Sequence, residues 1–321
     1  MEAGAMSPAE VGTAGIVGTG SVGASWTALY LAAGLSVVAT DTAAGAEERA
    51  RSFVAEAWPA LRRLGLAHEP APPQDRLRFV ATAAMAAAAA DFVQENVLEV
   101  PEVKGRVLAE IDAALPAGRV IGSSTGGIPP SALQAHCAHP ERLVVIHPFN
   151  PAHLVPLVEV VGGAATAPEV VDWAMAFARR LGKHPIRVRR EAPGHMVNRL
   201  QFALLREAVH CLVEGIASAE DIDAAVSQGL GPRWALMGSL GILTLAGGPG
   251  GMAGILDHTG AAIDGWWQAL GQPRLTPAVR HRLVAAADEI AGGRSLAELI
   301  RWRDDKLVDL LAVVHERENH E

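Results

Sequence analysis

A glycine-rich turn near the amino terminus constrains the fold more than any other part of this sequence. Residues 14–17 are apolar, residues 22–33 have the apolar spacing of a helix, and between them lies the turn Gly18-Thr19-Gly20-Ser21-Val22-Gly23. A strand, a turn with this glycine spacing and a helix form a unit that binds the pyrophosphate of a dinucleotide. Gly20 lets the backbone approach the phosphates, and the helix N-terminus offers its N–H groups. The turn therefore predicts a dinucleotide-binding α/β domain.

An acidic residue lies where the second strand of such a unit ends. The apolar run 35–40 is followed by Asp41. A carboxylate at this place accepts hydrogen bonds from the ribose hydroxyls of adenosine and repels a 2′-phosphate. We therefore expect NAD as the cofactor in preference to NADP. The alternative is an ordinary glycine turn, with Asp41 as a helix cap.

The organisation of the chain changes near residue 188. Before it, apolar strand-like runs alternate with helical patterns, which is typical of a parallel sheet covered by helices on both faces. After it come long helical patterns with few β-branched clusters. We predict an α/β, Rossmann-type doubly wound sheet in residues 1–188, followed by an all-α domain in residues 189–321.

The composition excludes several classes of partner. The 321 residues have a formal net charge of -8, which argues against nucleic acid, because phosphate binding needs concentrated positive charge. No apolar run reaches the about 20 residues of a membrane span. Residues 1–11 lack the pattern of a signal peptide. The two cysteines, Cys137 and Cys211, form neither a disulfide framework nor a metal-ligand pattern. We therefore expect a cytoplasmic protein with no membrane partner and no metal.

A histidine and a glutamate are the most informative chemical groups of the first half. His147 follows the apolar run 143–146, so it lies at the carboxyl end of a buried strand, where such sheets bind ligands. Glu159 is a single carboxylate in the apolar segment 156–161, and its burial is costly without a partner. Together they could remove a hydroxyl proton while a hydride leaves the same carbon. The alternative for His147 is a structural histidine packed in the core.

An asparagine opens the helical half of the chain. Asn198 follows Pro193-Gly194 and lies near the start of a long helical pattern. Its amide could serve a substrate oxygen as donor and acceptor, or it could cap the helix. The neighbouring histidines have no comparable setting, and we interpret them as surface or core residues. They are His136, His139, His153, His184 and His195.

Several further motifs occur in a characteristic order. They are the glycine turn and the segments 94–96, 123–125, 147–151, 156–161, 194–200 and 229–238. In this order, over nearly the whole chain, they resemble the L-3-hydroxyacyl-CoA dehydrogenase superfamily. The resemblance is strongest to the branch of lambda-crystallin and L-carnitine dehydrogenase, whose substrates are short polar acids.

The resemblance implies roles for the matching positions. His147 would be the catalytic base, Glu159 its partner and Asn198 a residue that orients the substrate. The helical domain would close over the substrate and form a homodimer. The cofactor contacts would come from Gly18, Thr19, Gly20, Ser21, Val22, Gly23, Asp41, Glu95, Lys104, Ser123 and Asn150.

One position departs from the family pattern. The family has a serine that hydrogen-bonds the reacting oxygen, and the matching residue here is Gly126. Loss of such a donor costs roughly 10²–10³ in rate, so we expect Ser124, Thr125 or a water to take its place. The glycine also keeps open another class of function, a structural protein that binds NAD(H) without catalysis.

The sequence favours a small free acid over a CoA thioester. Acyl-CoA members of the family hold the CoA phosphates with basic residues after the second strand. In that region Arg49, Arg51, Arg62 and Arg63 lie among three glutamates, Glu47, Glu48 and Glu56, and the region has no lysine. Arg233 could pair with a substrate carboxylate or serve as an interface residue. We expect NAD-dependent oxidation of a small polar L-3-hydroxy acid to the 3-keto acid, or the reverse. The alternative enzyme is a 3-hydroxybutyryl-CoA dehydrogenase.

Overall fold

The computed structural model describes residues 6–318 and divides the chain into two compact units, Met1–Arg199 and Leu200–Glu321. We call them the sheet unit and the helical unit. Among the described residues, every strand belongs to the sheet unit. The predicted fold class, a Rossmann-type doubly wound sheet followed by an all-α domain, is confirmed.

The strands of the described residues form one sheet of eight. They are β1 (Thr13–Val17), β2 (Ser36–Thr40), β3 (Leu77–Phe79), β4 (Phe92–Glu95), β5 (Val120–Ser123), β6 (Leu143–Pro148), β7 (Leu157–Gly162) and β8 (His184–Val188). Their order in the sheet is β3-β2-β1-β4-β5-β6-β7-β8. All neighbours are parallel except β6 and β7. Only residues 149–156 join these two strands, which is too short for a parallel crossover of a dozen or more residues.

Helices cover both faces of the sheet because successive strand residues point to opposite sides. Phe92 and Val93 of β4 belong to two different apolar clusters. Phe92 packs in the cluster of Trp26 and Phe177, whereas Val93 packs in that of Leu108. The helices of this unit are α1 (Ser21–Ala32), α2 (Ala46–Arg63), α3 (Ala83–Ala88), α4 (Pro101–Ala114), α5 (Pro130–Gln134) and α6 (Pro168–Arg180).

The strand order places a ligand crevice beside β1. The chain runs from β1 to β2 and β3 on one side, and β4 returns to the other side of β1. The carboxyl ends of β1 and β4 therefore border the crevice where doubly wound sheets bind their ligands. The glycine turn follows β1, Asp41 follows β2, and Glu95 ends β4.

The helical unit buries little of its apolar surface within one chain. Among its described residues, the buried apolar side chains are Val209, Val308 and Leu311. No helix within residues 6–318 combines the length and the apolar character that crossing a bilayer requires. The helices are α7 (Val197–Glu214), which begins in the sheet unit, α8 (Ala219–Ala224), α9 (Gly231–Trp234), α10 (Ser239–Ala246), α11 (Gly251–Ala269), α12 (Pro277–Ala291) and α13 (Leu296–Glu318).

Candidate active site

Two of the three glycines in the turn after β1 have no room for a side chain. Gly18 has a φ of +87°, and a Cβ there would lie 2.8 Å from the carbonyl oxygen of Asn96. A Cβ on Gly23 would lie 1.9 Å from the carbonyl oxygen of Gly18, so α1 packs directly on the turn. A Cβ on Gly20 would meet no atom within 4 Å. The backbone at Gly20 is therefore open to a pyrophosphate, and the N-terminus of α1 offers it N–H groups and partial positive charge.

Asp41 faces this turn from the end of β2. Its Oδ2 accepts hydrogen bonds from the Thr19 backbone N–H at 2.6 Å and from the Thr19 hydroxyl at 3.0 Å, and its Oδ1 accepts one from the Ala43 N–H at 2.9 Å. Burial raises the pKa of this carboxyl, but these donors outweigh burial and hold the pKa below its ordinary value. Asp41 caps no helix, since α2 begins after Gly45. An anion beside the turn fits NAD and disfavours a 2′-phosphate.

The antiparallel register of β6 and β7 pairs His147 with Glu159. The two residues lie directly opposite each other, and His147 Nδ1 is 2.9 Å from Glu159 Oε2. Both side chains are buried. A carboxylate only accepts hydrogen bonds, so Nδ1 carries the hydrogen and Nε2 of the neutral ring has a lone pair. The pair therefore leaves Nε2 of His147 as a proton acceptor.

Glu159 is held by backbone donors on its other oxygen. Oε1 accepts the N–H groups of Met196 and Val197, each at 2.8 Å. Burial raises the pKa of Glu159, but the hydrogen bond from His147 and the two N–H groups outweigh it and lower the pKa below its ordinary value. The buried carboxylate is therefore ionised at neutral pH and can stabilise the imidazolium that forms when His147 takes a proton.

Gly126 lies where the imidazole of His147 and the amide of Asn198 converge. A Cβ built on Gly126 would be 3.3 Å from both His147 Nε2 and Asn198 Nδ2. The Asn198 amide donates to the carbonyl oxygen of Gly126 at 2.8 Å, and its nitrogen has a second hydrogen. A side chain at residue 126 would thus reach the base, and glycine leaves this space without a hydroxyl.

The neighbouring hydroxyls are committed to protein acceptors. Ser124 Oγ donates to Asn96 Oδ1 at 2.7 Å and accepts from Trp26 Nε1 at 3.1 Å. Thr125 Oγ1 donates to Glu99 Oε1 at 2.5 Å. A hydroxyl has one hydrogen, so neither group can donate to a reacting oxygen in this arrangement. The expectation that Ser124 or Thr125 replaces the missing donor is therefore corrected, and a water is the remaining candidate.

A buried polar cluster joins the ends of β4 and β5. Lys104 Nζ lies 2.9 Å from Glu95 Oε1, and the Ser123 hydroxyl donates to Glu95 Oε2 at 2.5 Å. All three side chains are buried, and they satisfy one another. Their direct contact with a cofactor, like that of Asn150, which is exposed after β6, stays a prediction.

Two residues of the site were not predicted as site residues: the sequence favoured His195 as a surface or core residue, and no motif indicated Glu99. His195 is buried with a φ of +50°, its Nε2 donates to the Thr125 carbonyl oxygen at 3.0 Å, and its ring centroid is 5.5 Å from that of His147. Burial lowers its pKa. Glu99 bonds the Thr125 hydroxyl and the backbone that follows it. Their partners are distant in the sequence, so no motif spacing marks either residue.

Arg233 lies in the helical unit and is exposed on the short helix α9. Its Nε donates to the carbonyl oxygen of Gly229 at 3.1 Å. The pairing of Arg233 with a substrate carboxylate stays a prediction.

The dinucleotide crevice and the adjacent base together define an NAD-dependent dehydrogenase that oxidises a carbon bearing a hydroxyl group. The chain belongs to the 3-hydroxyacyl-CoA dehydrogenase family. The model of the family's NAD binding domain matches residues 13–192, and that of its C-terminal domain matches residues 194–287.

Curated relatives cover nearly the whole chain. An L-carnitine dehydrogenase of Streptomyces griseus is 48% identical over 304 residues, which are 95% of this chain and 90% of the relative. An L-carnitine dehydrogenase of Nocardiopsis dassonvillei is 48% identical over 98% of this chain and 95% of its own. That of Pseudomonas aeruginosa is 46% identical over 96% of this chain and 95% of its own.

Solved structures share the fold of the chain. The NAD+-dependent dismutase 5-formyl-3-hydroxy-2-methylpyridine 4-carboxylic acid 5-dehydrogenase superposes with a TM-score of 0.83 at 32% identity, over 95% of this chain and 99% of its own. An (S)-3-hydroxybutyryl-CoA dehydrogenase from Ralstonia eutropha gives a TM-score of 0.64 at 28% identity, over 87% of this chain and 95% of its own. The predictions of the family, of NAD and of an NAD-dependent 3-hydroxy acid dehydrogenase are confirmed.

Proposed function

We propose that this enzyme oxidises the 3-hydroxyl of L-carnitine or of a closely related small polar L-3-hydroxy acid. The observation that carries the proposal is the buried pair of His147 and Glu159, whose remaining imidazole nitrogen would lie 3.3 Å from a Cβ built on Gly126. The L-carnitine dehydrogenases among the relatives, at 43% to 48% identity, support the choice of substrate.

The chemistry follows from the atoms of the pair. His147 Nε2 takes the hydroxyl proton while Glu159 stabilises the charge that develops on the ring. The second hydrogen of the Asn198 amide orients the reacting oxygen, and a water fills the space that Gly126 leaves. Bound NAD would supply the acceptor for the hydride of the hydroxyl-bearing carbon, and the alcohol would thereby be oxidised to a ketone. Atoms and electrons balance, because one proton and one hydride leave the alcohol.

The cofactor would be held by the turn and by Asp41. The N-terminus of α1 and the open backbone at Gly20 suit the pyrophosphate. Asp41 would accept hydrogen bonds from the adenosine ribose hydroxyls, using the lone pairs that are not already bonded to Thr19 and Ala43. The buried cluster of Glu95, Lys104 and Ser123 would lie on the nicotinamide side of the cofactor. Asn150, which follows β6, would contact the nicotinamide ribose or amide.

The helical unit is proposed to form a homodimer. Its exposed side chains include Phe202, Leu240, Trp266 and Trp267. An apolar surface of this extent on a single chain is typical of a protein–protein interface.

The free thiols of Cys137 and Cys211 agree with a reducing compartment, and we assign the enzyme to the cytoplasm.

Turnover of a substrate panel tests the proposal. NADH formation would be followed with L-carnitine, L-gulonate, both enantiomers of 3-hydroxybutyrate and L-3-hydroxybutyryl-CoA. We expect a rate with L-carnitine or another free acid, and a loss of roughly 10²–10⁴ in kcat for His147→Ala. Exposed His139 supplies the matched control, since His139→Ala should keep the rate.

Two outcomes would overturn this function. Turnover of the thioester alone would assign the chain to the acyl-CoA dehydrogenases. Full turnover by His147→Ala, with NAD affinity and melting temperature unchanged, would show that another group takes the proton.

A further inference from the structure

The segment between β4 and α4 places a carboxylate against the loop that carries Gly126. Glu99 Oε1 accepts three hydrogen bonds from this loop, from the Thr125 hydroxyl at 2.5 Å and from the N–H groups of Gly126 and Gly127 at 3.0 and 3.1 Å. The loop has two successive glycines, which alone leave its backbone free to adopt many conformations. A single carboxylate oxygen thus binds the donors of three consecutive residues.

The carbonyl groups of the same loop are held from another direction. The Gly126 oxygen accepts from Asn198 Nδ2 at 2.8 Å, and the Thr125 oxygen accepts from His195 Nε2 at 3.0 Å. Each of the two peptide groups that flank the Gly126 Cα therefore makes hydrogen bonds through both its N–H and its carbonyl oxygen. These hydrogen bonds fix the position of the Gly126 Cα. A Cβ built on it would lie 3.3 Å from His147 Nε2.

Glu99 acts on the loop as an anion. Its Oε2 lies 3.4 Å from Lys104 Nζ, and its side chain is 47% exposed. Burial raises the pKa of Glu99, but the Thr125 hydroxyl and the Lys104 ammonium outweigh burial and hold the pKa below its ordinary value. The carboxylate is therefore ionised at neutral pH. Hydrogen bonds to an ionised acceptor are about twice as strong as those between neutral groups.

We propose that Glu99 is a positioning residue for the reaction: its carboxylate fixes the Thr125–Gly127 loop so that the space at Gly126, with the Asn198 amide, stays aligned with His147 Nε2. The inference rests on the proposed function and deepens it. Because residue 126 has no side chain, the alignment of the reacting oxygen depends on the backbone of this loop. A misplacement of about 1 Å at a reacting centre can cost roughly 100-fold in rate.

Three variants test the proposal on the holoenzyme. Glu99→Ala removes the acceptor, Glu99→Gln keeps an acceptor oxygen without the charge, and Glu102→Gln is the matched control at an exposed glutamate of α4. We expect kcat with the best substrate to fall roughly 10- to 100-fold for Glu99→Ala. Glu99→Gln should recover part of the loss, and Glu102→Gln should keep the rate. KM for the hydroxy acid should change by less than about threefold, since the loss is one of alignment and not of uniform binding. The comparison of kcat is made at saturating NAD+, because Glu99 also lies 3.4 Å from Lys104 Nζ, which is proposed to support the cofactor.

A spectroscopic readout separates this inference from the proposed function. In NMR spectra of the protein with 15N-glycine, the Gly126 and Gly127 amide protons should be deshielded by the carboxylate and move upfield in Glu99→Gln. Thr125→Val, which keeps the shape and removes one donor, should reproduce part of the kcat loss. A wild-type enzyme that turns over nothing in the panel would refute the proposed function, while the amide resonances would still decide whether Glu99 orders the loop.

Three results would overturn the inference. Unchanged Gly126 and Gly127 amide resonances in Glu99→Gln would show that the carboxylate does not hold the loop. Shifted resonances with an unchanged kcat would show that loop order has no part in the reaction. A raised Kd for NAD+ with an unchanged kcat at saturating cofactor would assign Glu99 to cofactor binding.

Discussion

The sheet unit buries most of its large apolar side chains within the single chain, whereas the helical unit leaves many of them exposed. Strands and helices of Met1–Arg199 enclose two apolar clusters, whose members include the fully buried aromatic rings of Trp26, Tyr30 and Phe92. In the described part of Leu200–Glu321, three apolar side chains are buried, while Trp266 and Trp267 are more than 60% exposed. Two layers of helices give a sheet its own core, whereas an isolated set of helices leaves one apolar stripe per helix to be covered.

This contrast also separates the chemistry. The base, its carboxylate partner and the asparagine amide all lie within the sheet unit, and their hydrogen bonds of 2.8–2.9 Å are buried or partly buried. The helical unit is proposed to contribute Arg233 to the substrate and an apolar surface to a homodimer. The sheet unit should therefore respond to substitution through packing and cofactor binding, and the helical unit through association.

The largest effect is expected from the glycines of the turn. Gly23→Ala places a Cβ 1.9 Å from the Gly18 carbonyl oxygen, and overpacking of this kind costs about 1–3 kcal/mol of stability. The melting temperature of the apoenzyme should fall, and NAD+ binding should be lost at concentrations that saturate the wild type.

Gly20→Ala is the matched control for this packing effect. Its Cβ meets no atom within 4 Å, so the melting temperature of the apoenzyme should remain unchanged while NAD+ affinity falls, because the methyl group lies in the path of the pyrophosphate. Calorimetry and NAD+ titration check both variants. Equal melting losses for Gly20→Ala and Gly23→Ala would contradict the tight packing inferred for α1.

The second effect concerns association through the helical unit. Trp267→Ser removes a side chain that is 66% exposed in the single chain. If it anchors the proposed homodimer, the dissociation constant should rise by roughly 30-fold, which corresponds to about 2 kcal/mol for an aromatic anchor. Sedimentation velocity over a concentration series measures this constant.

An exposed methionine of the sheet unit gives the comparison. Met85→Ser changes an apolar side chain that is 52% exposed on α3, and the dissociation constant should not move. A monomeric wild type, or equal weakening by both substitutions, would refute the assignment of the interface to the helical unit.

The smallest effect is a pH dependence of the sheet unit's stability. The folded state holds the pKa of Glu159 below the ordinary value of 4.5. The carboxylate therefore contributes stability above that value, and the contribution is lost as the pH falls through the folded-state pKa. The difference in unfolding free energy between wild type and Glu159→Gln should be largest at neutral pH and shrink on acidification.

Urea unfolding at a series of pH values checks this prediction. A difference between wild type and Glu159→Gln that grows on acidification would have the wrong sign for a depressed carboxyl pKa. Glu169→Gln, at an exposed glutamate in the first turn of α6, is the control.

Local patterns of the sequence identified the main parts of the site. The glycine turn, Asp41 after the second strand and His147 after a buried strand are each defined by neighbours along the chain. Because turn geometry, strand ends and helix N-termini are local, such patterns predict the cofactor crevice and the base. They also predicted that Glu159 needs a partner, since an isolated buried carboxylate is costly.

Tertiary structure decided which groups these parts meet. The antiparallel return of β7 places Glu159 opposite His147, although a run of parallel strands was expected. The hydroxyls of Ser124 and Thr125 are taken by Asn96 and Glu99, so they cannot serve the reacting oxygen. These outcomes depend on strand register and on a loop packed against a distant segment, and neither is encoded in short-range spacing.

Apolar periodicity and a few side chains at strand ends were enough to predict the fold class and the cofactor from the sequence, and the resemblance of its motifs to a known family indicated the type of reaction. Only the tertiary structure decided that Glu99 and His195 belong to the site. Their bonds to Thr125 join residues 26 and 70 positions apart. Contacts over such distances arise only when the sheet has folded and strand ends from different parts of the chain meet at one edge.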